Sequence, residues 1–330
     1  MIKIFKTFGG YVEINEPQKG CWINTTNPTT EEIQKLSSQF RIPTDLINDI
    51  LDQDERPRVE FEDEWTLLIF RIPVEAKNNG VPFHTIPLGI FIVDNFTLTL
   101  CSQNNEILPI DQPSPFREQY KQITDNINFI LRLFLRSGNL YLRYLKQINQ
   151  MTSSIEQDLE KSIKNKELNK LLKMEKCLVY FITSIKANEI VLQKLRNSKK
   201  ITSEINEDLL EDALIENKQA LETAQIYSDI QSGMMDAFAS VISNNLNVVM
   251  KQLTLISILL MIPTLIASLF GMNVSNGMEN MPWAFPLIIL GSLVFSFLGV
   301  LLFRKRQWFW CRQLPTKPII ATYNSVLEKR

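Results

Sequence analysis

Histidine, cysteine and an excess of one charge are the scarce features of this chain of 330 residues. It has one histidine, His84, four widely separated cysteines, and 35 basic side chains against 36 acidic ones. A single histidine argues against a His-rich metal site and against a Ser–His–Asp triad. No two cysteines have C-x-x-C spacing, so no structural zinc site is expected and a reducing compartment fits. The near-neutral charge argues against a nucleic-acid partner.

Motifs of nucleotide-driven and hydrolytic chemistry are missing as well. The sequence has no Walker loop, no G-x-G-x-x-G and no H-E-x-x-H. We therefore expect neither an enzyme nor an ATP-driven pump. Lys3 and Lys6 interrupt the first residues and no apolar run follows them, so no secretory signal is expected.

Charge is absent from two adjacent stretches near the C-terminus. Residues 252–278 and 280–303 contain no Asp, Glu, Lys or Arg. A bilayer core is crossed by about 20 apolar helical residues, so we predict transmembrane helices at about 252–270 and at 283–303. The alternative is a pair of buried helices in a soluble protein. The basic residues Arg304, Lys305 and Arg306 follow at once, which predicts a cytoplasmic C-terminal tail over 304–330.

Two spans return a chain to the side from which it left. We therefore expect the N-terminus to be cytoplasmic too, the loop 271–282 to be extracytoplasmic, and the protein to be a multi-pass protein of the cell membrane.

Polar side chains and methionines recur on one face of the first span at steps of three and four residues. We call this set the polar stripe; its members are Asn247, Met250, Thr254, Ser257, Met261, Thr264 and Ser268. Polar groups inside a bilayer usually face a bundle interior or water. Because one helix cannot enclose water, the polar stripe predicts a pore lined by several copies of the chain. The alternative is helix–helix packing through small and hydroxyl residues.

A long helix leads into the first span. Ser203 is a predicted N-cap, and the helix over 203–270 forms a stalk that Pro263 should bend. Residues 204–236 carry nine acidic side chains against Lys218 alone. They form either a solvated face or an acidic vestibule that concentrates cations below the pore. Carried backward, the register of the polar stripe reaches Asp236.

Residues 1–115 mix strand and helix signals and predict a cytoplasmic α/β domain. Strands are predicted at 3–5, 11–14, 21–24, 59–61, 66–71, 89–93 and 97–101. A helix start is predicted at Asn27-Pro28 and a second short helix at 44–51. The acidic segment 52–64 predicts a solvated hairpin or, alternatively, a weak divalent site. Residues 116–202 predict two antiparallel cytoplasmic helices. The fold class is therefore an α+β domain followed by long helices and two C-terminal membrane spans.

The tripeptide Gly271-Met272-Asn273 stands at the outer end of the first span. At this place between two C-terminal spans it resembles the GMN signature of the CorA family of magnesium transporters. The runs 243–251 and 261–264 look like the pore helix of that family, and 304–308 looks like its basic ending. The resemblance covers essentially the whole chain.

The resemblance implies a CorA-like homopentameric funnel in which five first spans line the pore. Gly271 and Asn273 look like the mouth that meets a hydrated ion, with Met272 structural in the same motif. Asn247 and Thr264 look like polar pore positions. Apolar constrictions are implied at Met250, Leu253 and Met261.

Regulation is implied at a second place. Asp236 resembles the helix carboxylate that binds regulatory Mg²⁺ between subunits, and Glu75 lies in the region of its partner on a neighbouring copy. The chain departs from the family where Met281-Pro282 is followed by Trp283 rather than by glutamate. Glu279 is expected to supply the outer negative charge instead.

Magnesium sheds its water reluctantly and prefers oxygen ligands, which the amides and hydroxyls of the polar stripe offer. We therefore predict a channel-like Mg²⁺ transporter with passive influx that is gated by intracellular Mg²⁺, with Co²⁺ or Ni²⁺ as further ions. The alternatives are a zinc, cobalt or nickel transporter of the same family and, in another class, a non-conducting membrane-anchored scaffold.

Overall fold

The computed structural model divides the chain into two units, Met1–Met234 and Met235–Arg330. It describes residues 1–8, 12–76, 80–93, 96–108, 125–161, 165–198, 206–272, 277 and 282–305.

The first unit contains a six-stranded sheet. Its strands are β1 (Ile2–Phe5), β2 (Cys21–Thr26), β3 (Arg58–Phe61), β4 (Trp65–Glu75), β5 (Phe83–Val93) and β6 (Phe96–Cys101). The strand order is β1-β2-β6-β5-β4-β3, and every neighbouring pair is antiparallel except β2 and β6. The parallel pair requires a crossover between β2 and β6, which the helices and the β3–β5 meander provide.

Two short helices cover one face of the sheet. They are α1 (Thr30–Phe40) and α2 (Thr44–Leu51), and Thr29 closes a capping box with Glu32 at the start of α1. Alternate residues of β4 point toward them, since Leu67 and Ile69 share a fully buried cluster with Ile47. Helix α2 has the predicted bounds, residues 44–51.

Two long helices, α3 (Asn126–Lys161) and α4 (Asn165–Arg196), cover the other face. Aromatic side chains make the contact: Phe70 of β4 stacks on Phe134 at 4.2 Å between ring centroids, and Phe83 of β5 stacks on Tyr144 at 4.8 Å. Tyr141 meets Phe181 of α4 edge to face at 5.0 Å. The result is a helix–sheet–helix arrangement with apolar layers on both sides of the sheet.

The strand prediction is too short for β5, which begins at Phe83 and not at residue 89. Pro87 hides the strand in the sequence because proline supplies no ladder N–H. Pro87 is tolerated because it lies opposite Arg71, and the backbone groups of Arg71 bond to Asn188 of α4 instead. Arg71 N–H donates to Asn188 Oδ1 at 2.8 Å, and Asn188 Nδ2 donates to Arg71 O at 2.7 Å. The side-chain amide thus takes the place of a neighbouring strand where β3 has ended at Arg58.

The strand predicted at 11–14 is also not observed in its described part. A single bridge joins Phe5 to Glu13, with Lys6 N–H donating to Val12 O and Ile14 N–H donating to Ile4 O. The segment therefore runs beside β1 for too short a distance to form a strand.

The acidic segment 52–64 contains β3 and the turn of the β3–β4 hairpin. Arg58 of β3 bonds to Asp49 of α2, to Glu55 and to Glu60. Within the described part of the chain no group of three His, Cys, Asp or Glu side chains could hold a metal ion. The hypothesis of a weak divalent site in this hairpin therefore finds no support.

The remaining helices are α5 (Glu207–Phe270) and α6 (Ala284–Lys305). Asn206 caps α5, since its Oδ1 accepts the Leu209 N–H at 3.1 Å. Asparagine is as good an N-cap as serine, and the predicted cap Ser203 lies outside the described residues. Helix α5 continues through Pro263 to Phe270.

The part of α5 in the first unit is fixed by two buried amides. Asn217 Nδ2 donates to Ile185 O at 3.2 Å, and Gln231 Nε2 donates to Leu171 O at 2.6 Å. Both acceptors belong to α4, so these bonds set the register of α5 along its neighbour.

Candidate transport pathway

The polar stripe is exposed along its whole length in this chain, from Asn247 to Ser268. The opposite face of α5 is the covered one. A Cβ atom on Gly299 of α6 would lie 3.5 Å from Leu259 Cδ2 and 3.7 Å from Ile262 Cδ1. Residues two positions apart on an α-helix point about 200° apart. The polar stripe, whose members follow these leucine and isoleucine positions by two, therefore points away from α6.

Three hydroxyls of the polar stripe donate to their own helix. Thr254 Oγ1 bonds to Met250 O at 2.8 Å, Ser257 Oγ to Leu253 O at 3.0 Å, and Thr264 Oγ1 to Leu260 O at 2.8 Å. Because each proton is used within the helix, the oxygen lone pairs remain on the exposed side. These positions present acceptors, which suit water molecules around a cation.

Large apolar side chains interrupt the polar groups on the same side. Met250, Leu253 and Met261 are 59%, 58% and 69% exposed. A ring of such side chains contributed by several copies would narrow a passage and repel water there. Hydroxyl acceptors and large apolar side chains thus alternate along one face of α5.

The exposed register continues beyond the polar stripe in both directions. Ser243, Ser240 and Asp236 are exposed toward the N-terminus of α5, and Gly271 is exposed at its C-terminal end. From Asp236 to Gly271 the helix rises about 53 Å, which exceeds the thickness of a bilayer including its headgroups. One face of α5 could therefore line a passage through the entire membrane.

The C-terminal end of α5 keeps a regular helical hydrogen bond. Gly271 N–H donates to Ala267 O at 2.9 Å, and a Cβ atom on Gly271 would lie 3.1 Å from that oxygen. Met272 is exposed. Asn273 and Glu279 lie outside the described residues, so their predicted roles stay predictions.

The predicted regulatory residues lie in different units of the chain. Glu75 ends β4 in the first unit, Asp236 belongs to the second, and both are exposed.

The segment of α5 that leads to Asp236 is strongly acidic. Over 207–236 it carries eight acidic side chains against one lysine, Lys218, which pairs with Glu222 at 3.9 Å. Such a surplus of negative charge raises the local concentration of cations.

A contact between the two apolar helices escaped the sequence prediction. Ser296 Oγ of α6 donates to Leu259 O of α5 at 3.2 Å. The available signal was Pro263, which cannot donate to the carbonyl four residues before it.

Both helices are long and apolar enough to cross a membrane, and only 6% and 0% of their most apolar windows are buried in this chain. This exposure argues against the alternative of buried helices in a soluble protein.

Comparison with known proteins decides the family. The model of the family described as CorA-like Mg²⁺ transporter protein matches residues 17–306. The chain belongs to the CorA family. The resemblance carried by the GMN tripeptide and the two spans is thereby confirmed, as are the membrane character of the chain and its assignment to ion transporters rather than enzymes.

Relatives in the CorA family match nearly the whole chain. The cobalt/magnesium transport protein CorA of Methanocaldococcus jannaschii is 28% identical over 303 residues, which are 89% of this chain and 92% of that protein. The protein of the same name from Thermotoga maritima is 24% identical over 300 residues, 87% of this chain and 83% of that protein.

A solved structure confirms the fold class. The complete structure of the CorA magnesium transporter from Methanocaldococcus jannaschii matches with a TM-score of 0.79 and 25% identity, covering 93% of this chain and 98% of that one. An N-terminal α/β domain, long helices and two C-terminal apolar helices therefore form a CorA-type subunit.

Proposed function

We propose that this chain conducts Mg²⁺ passively into the cell through a pore lined by α5 of five copies, the homopentamer that the family resemblance implies. The observation that carries the proposal is the polar stripe, which is exposed, points away from α6 and presents hydroxyl acceptors. A membrane potential of −100 mV favours entry of a divalent cation by about 4.6 kcal/mol. No other energy source is needed.

The chemistry of the polar stripe favours a hydrated hard cation. Mg²⁺ keeps several of its waters and accepts oxygen ligands, and the polar stripe contains neither cysteine nor histidine. The soft donors of the polar stripe are the thioethers of Met250 and Met261, and without thiolate or imidazole a transfer chain for zinc is disfavoured. Co²⁺ is a second candidate because two relatives are named cobalt/magnesium transport proteins, and Ni²⁺ is a third.

We assign the outer mouth to Gly271, Met272 and Asn273. The exposed register of α5 ends at Gly271, and Met272 and Asn273 follow it in the sequence. An amide oxygen at position 273 would bind a hydrated ion through its water shell. Glu279 would add negative charge near the same end.

Asp236 is our candidate sensor for intracellular Mg²⁺. Carboxylates repeated around a ring repel one another unless cations lie between them. A cation bridging Asp236 to an acidic residue of a neighbouring copy, for which Glu75 is the candidate, would favour one arrangement of the ring over another. Filling these sites would close the passage at Met250 and Met261.

The conduction proposal is tested with the full-length protein in liposomes that contain a Mg²⁺-sensitive dye. Thr264→Leu should reduce uptake at least tenfold because it removes an acceptor and narrows the passage, whereas Thr264→Ser keeps the hydroxyl and should retain most of the rate. Asn273→Ala should likewise reduce uptake while pentamers persist. Wild-type uptake in Thr264→Leu would mean that the polar stripe packs against protein. Lack of uptake of any divalent cation by an intact pentamer would favour the scaffold hypothesis.

Gating is tested by a titration of Mg²⁺ inside the liposomes. Asp236→Ala should raise the concentration that halves uptake. Asp212→Ala is the matched control, since it removes the same charge from an exposed position of the same helix. Equal inhibition curves for the two variants would refute the sensor role.

A further inference from the structure

The inference concerns a backbone carbonyl that the sequence of α5 leaves without its helical donor. In an α-helix the carbonyl of residue 259 accepts the N–H of residue 263. Residue 263 is Pro263, which lies inside α5 and has no N–H. The carbonyl of Leu259 would therefore be unpaired in the apolar part of the helix.

Ser296 of α6 supplies the missing donor. Its Oγ lies 3.2 Å from Leu259 O, and the contact is partly buried. A backbone group left unpaired in hydrocarbon is costly, and prolines in membrane helices persist where a neighbouring helix restores the lost bond. The pairing of Ser296 with Leu259 is an arrangement of this kind.

The choice of acceptor sets Ser296 apart from its neighbours. Serines in helices commonly donate to a carbonyl of their own helix, and Ser292, one turn earlier on α6, does so by bonding to Ile289 O at 2.8 Å. Ser296 reaches across to α5 instead. One turn further, Gly299 brings the backbone of α6 close to Leu259 and Ile262.

The bonded carbonyl lies on the α6 side of α5, and the opposite side of the same stretch carries the polar stripe. Leu259 precedes Met261 by two residues and Thr264 by five, and all belong to the same stretch of α5. Any change in the direction of α5 at Pro263 moves these two side chains relative to each other. A bond that fixes the helix at this point also fixes the distance between the apolar side chain of Met261 and the hydroxyl of Thr264.

We propose that Ser296 is a positioning residue for transport: through its bond to Leu259 O it holds α6 against α5 and fixes the direction of α5 at Pro263, next to Met261 and Thr264. Ser296 itself touches no cation. The proposal rests on the proposed function, since it takes α5 to line the pore.

The test is a double-mutant cycle on the full-length protein, with the thermal unfolding midpoint in detergent and dye uptake per folded pentamer in liposomes as two readouts. The variants are Ser296→Ala, Ser296→Thr, Pro263→Ala and the double variant Ser296→Ala/Pro263→Ala. Ser292→Ala is the matched control because it removes a hydroxyl bonded within α6. Hydrogen bonds between membrane helices change equilibrium constants about threefold on average and at most about twentyfold.

We expect Ser296→Ala to lower the unfolding midpoint and to change uptake per folded pentamer by about threefold to twentyfold, with Ser296→Thr and Ser292→Ala near wild type. In the Pro263→Ala background an alanine N–H serves Leu259, so the further change Ser296→Ala should have little effect on either readout. The same effect of Ser296→Ala in both backgrounds, or equal behaviour of Ser296→Ala and Ser292→Ala, would overturn the proposal.

A change in the midpoint alone, with uptake per folded pentamer unaltered, would also overturn it, because Ser296 would then only stabilise the fold. If wild-type protein takes up no divalent cation, the proposed function fails. The bond between Ser296 and Leu259 would still be tested by the cycle of midpoints.

Discussion

Replacement of Asn188 by alanine tests how the sheet edge is held to the helices. Asn188 is 1% exposed, and its amide bonds to both backbone groups of Arg71. The change removes both partners at a place where water does not enter. Asn139→Ala is the matched control, because Asn139 is exposed and its amide bonds only to Leu135 O of its own helix.

The two backbone groups of Arg71 lose unequal amounts of hydrogen-bonding free energy in Asn188→Ala. The carbonyl keeps a second donor, the Tyr141 hydroxyl at 3.0 Å, so its loss amounts to one ordinary hydrogen bond, about 0.5–1.5 kcal/mol. Among the described residues the N–H donates to Asn188 Oδ1 alone, and leaving a buried donor unpaired costs about 1–3 kcal/mol. The free energy of unfolding of the first unit should fall by about 1.5–4.5 kcal/mol.

Hydrogen exchange measured by mass spectrometry on the full-length protein is the assay of choice. In Asn188→Ala the peptide that contains Arg71 should exchange faster, and the thermal midpoint should fall. In Asn139→Ala both should stay near wild type, since exposed substitutions change stability by about 0.5 kcal/mol or less. Unchanged protection of the Arg71 peptide in Asn188→Ala would refute the idea that this amide replaces a strand.

Two further predictions concern the same unit. Gly89→Ala should lower the stability of the first unit by about 1–3 kcal/mol, because a Cβ atom there would lie 2.3 Å from Cδ1 of the fully buried Ile50. Gly80→Ala should be neutral, since no described atom lies within 4 Å of its Cβ position. Equal thermal midpoints for the two variants would contradict this prediction. Burial, with a smaller contribution from the charge of Arg71, lowers the pKa of His84 below its ordinary value of 6.5. Below pH 6.5 the unfolded chain therefore binds a proton that the folded chain does not. The stability of the first unit should fall as the pH falls. His84→Gln, which removes the only histidine, should reduce the slope of unfolding midpoint against pH between pH 5 and 7, and an unchanged slope would assign the acid sensitivity to carboxylates.

Local patterns in the sequence predicted much of the fold, and the failures have identifiable physical causes. Helix α2 has the bounds that the sequence predicted, residues 44–51. Strand β5 was predicted six residues too short because Pro87 normally marks the end of a strand. Pro87 lies opposite Arg71, and the backbone of Arg71 is bonded by Asn188. Asn188 is 101 residues away from Pro87 along the chain, and no local pattern reports such a partner. Asn206 caps α5, and the predicted cap Ser203, a residue type of similar capping strength, lies outside the described residues.

The candidate pathway divides in the same manner. The register of the polar stripe is a periodicity within one helix, so the sequence predicted which residues share a face. The partner of Leu259 on α6 is a contact between helices, and only the structure shows it. The pairing of Asp236 with Glu75 would involve a second copy of the chain, and for that reason it stays a proposal.

The composition of the exposed face of α5 supports a passage more strongly than any one of its residues. A face turned to lipid would be selected for apolar side chains throughout, as the outer faces of membrane helices are. A face turned to bulk water would carry charges, as residues 207–236 of the same helix do. Between Gln252 and Phe270 the exposed face has neither character: hydroxyls at Thr254, Ser257 and Thr264 alternate with large apolar side chains, and charge is absent. Uncharged acceptors separated by apolar levels suit a narrow, partly hydrated passage, in which an ion must be bound weakly enough to move on.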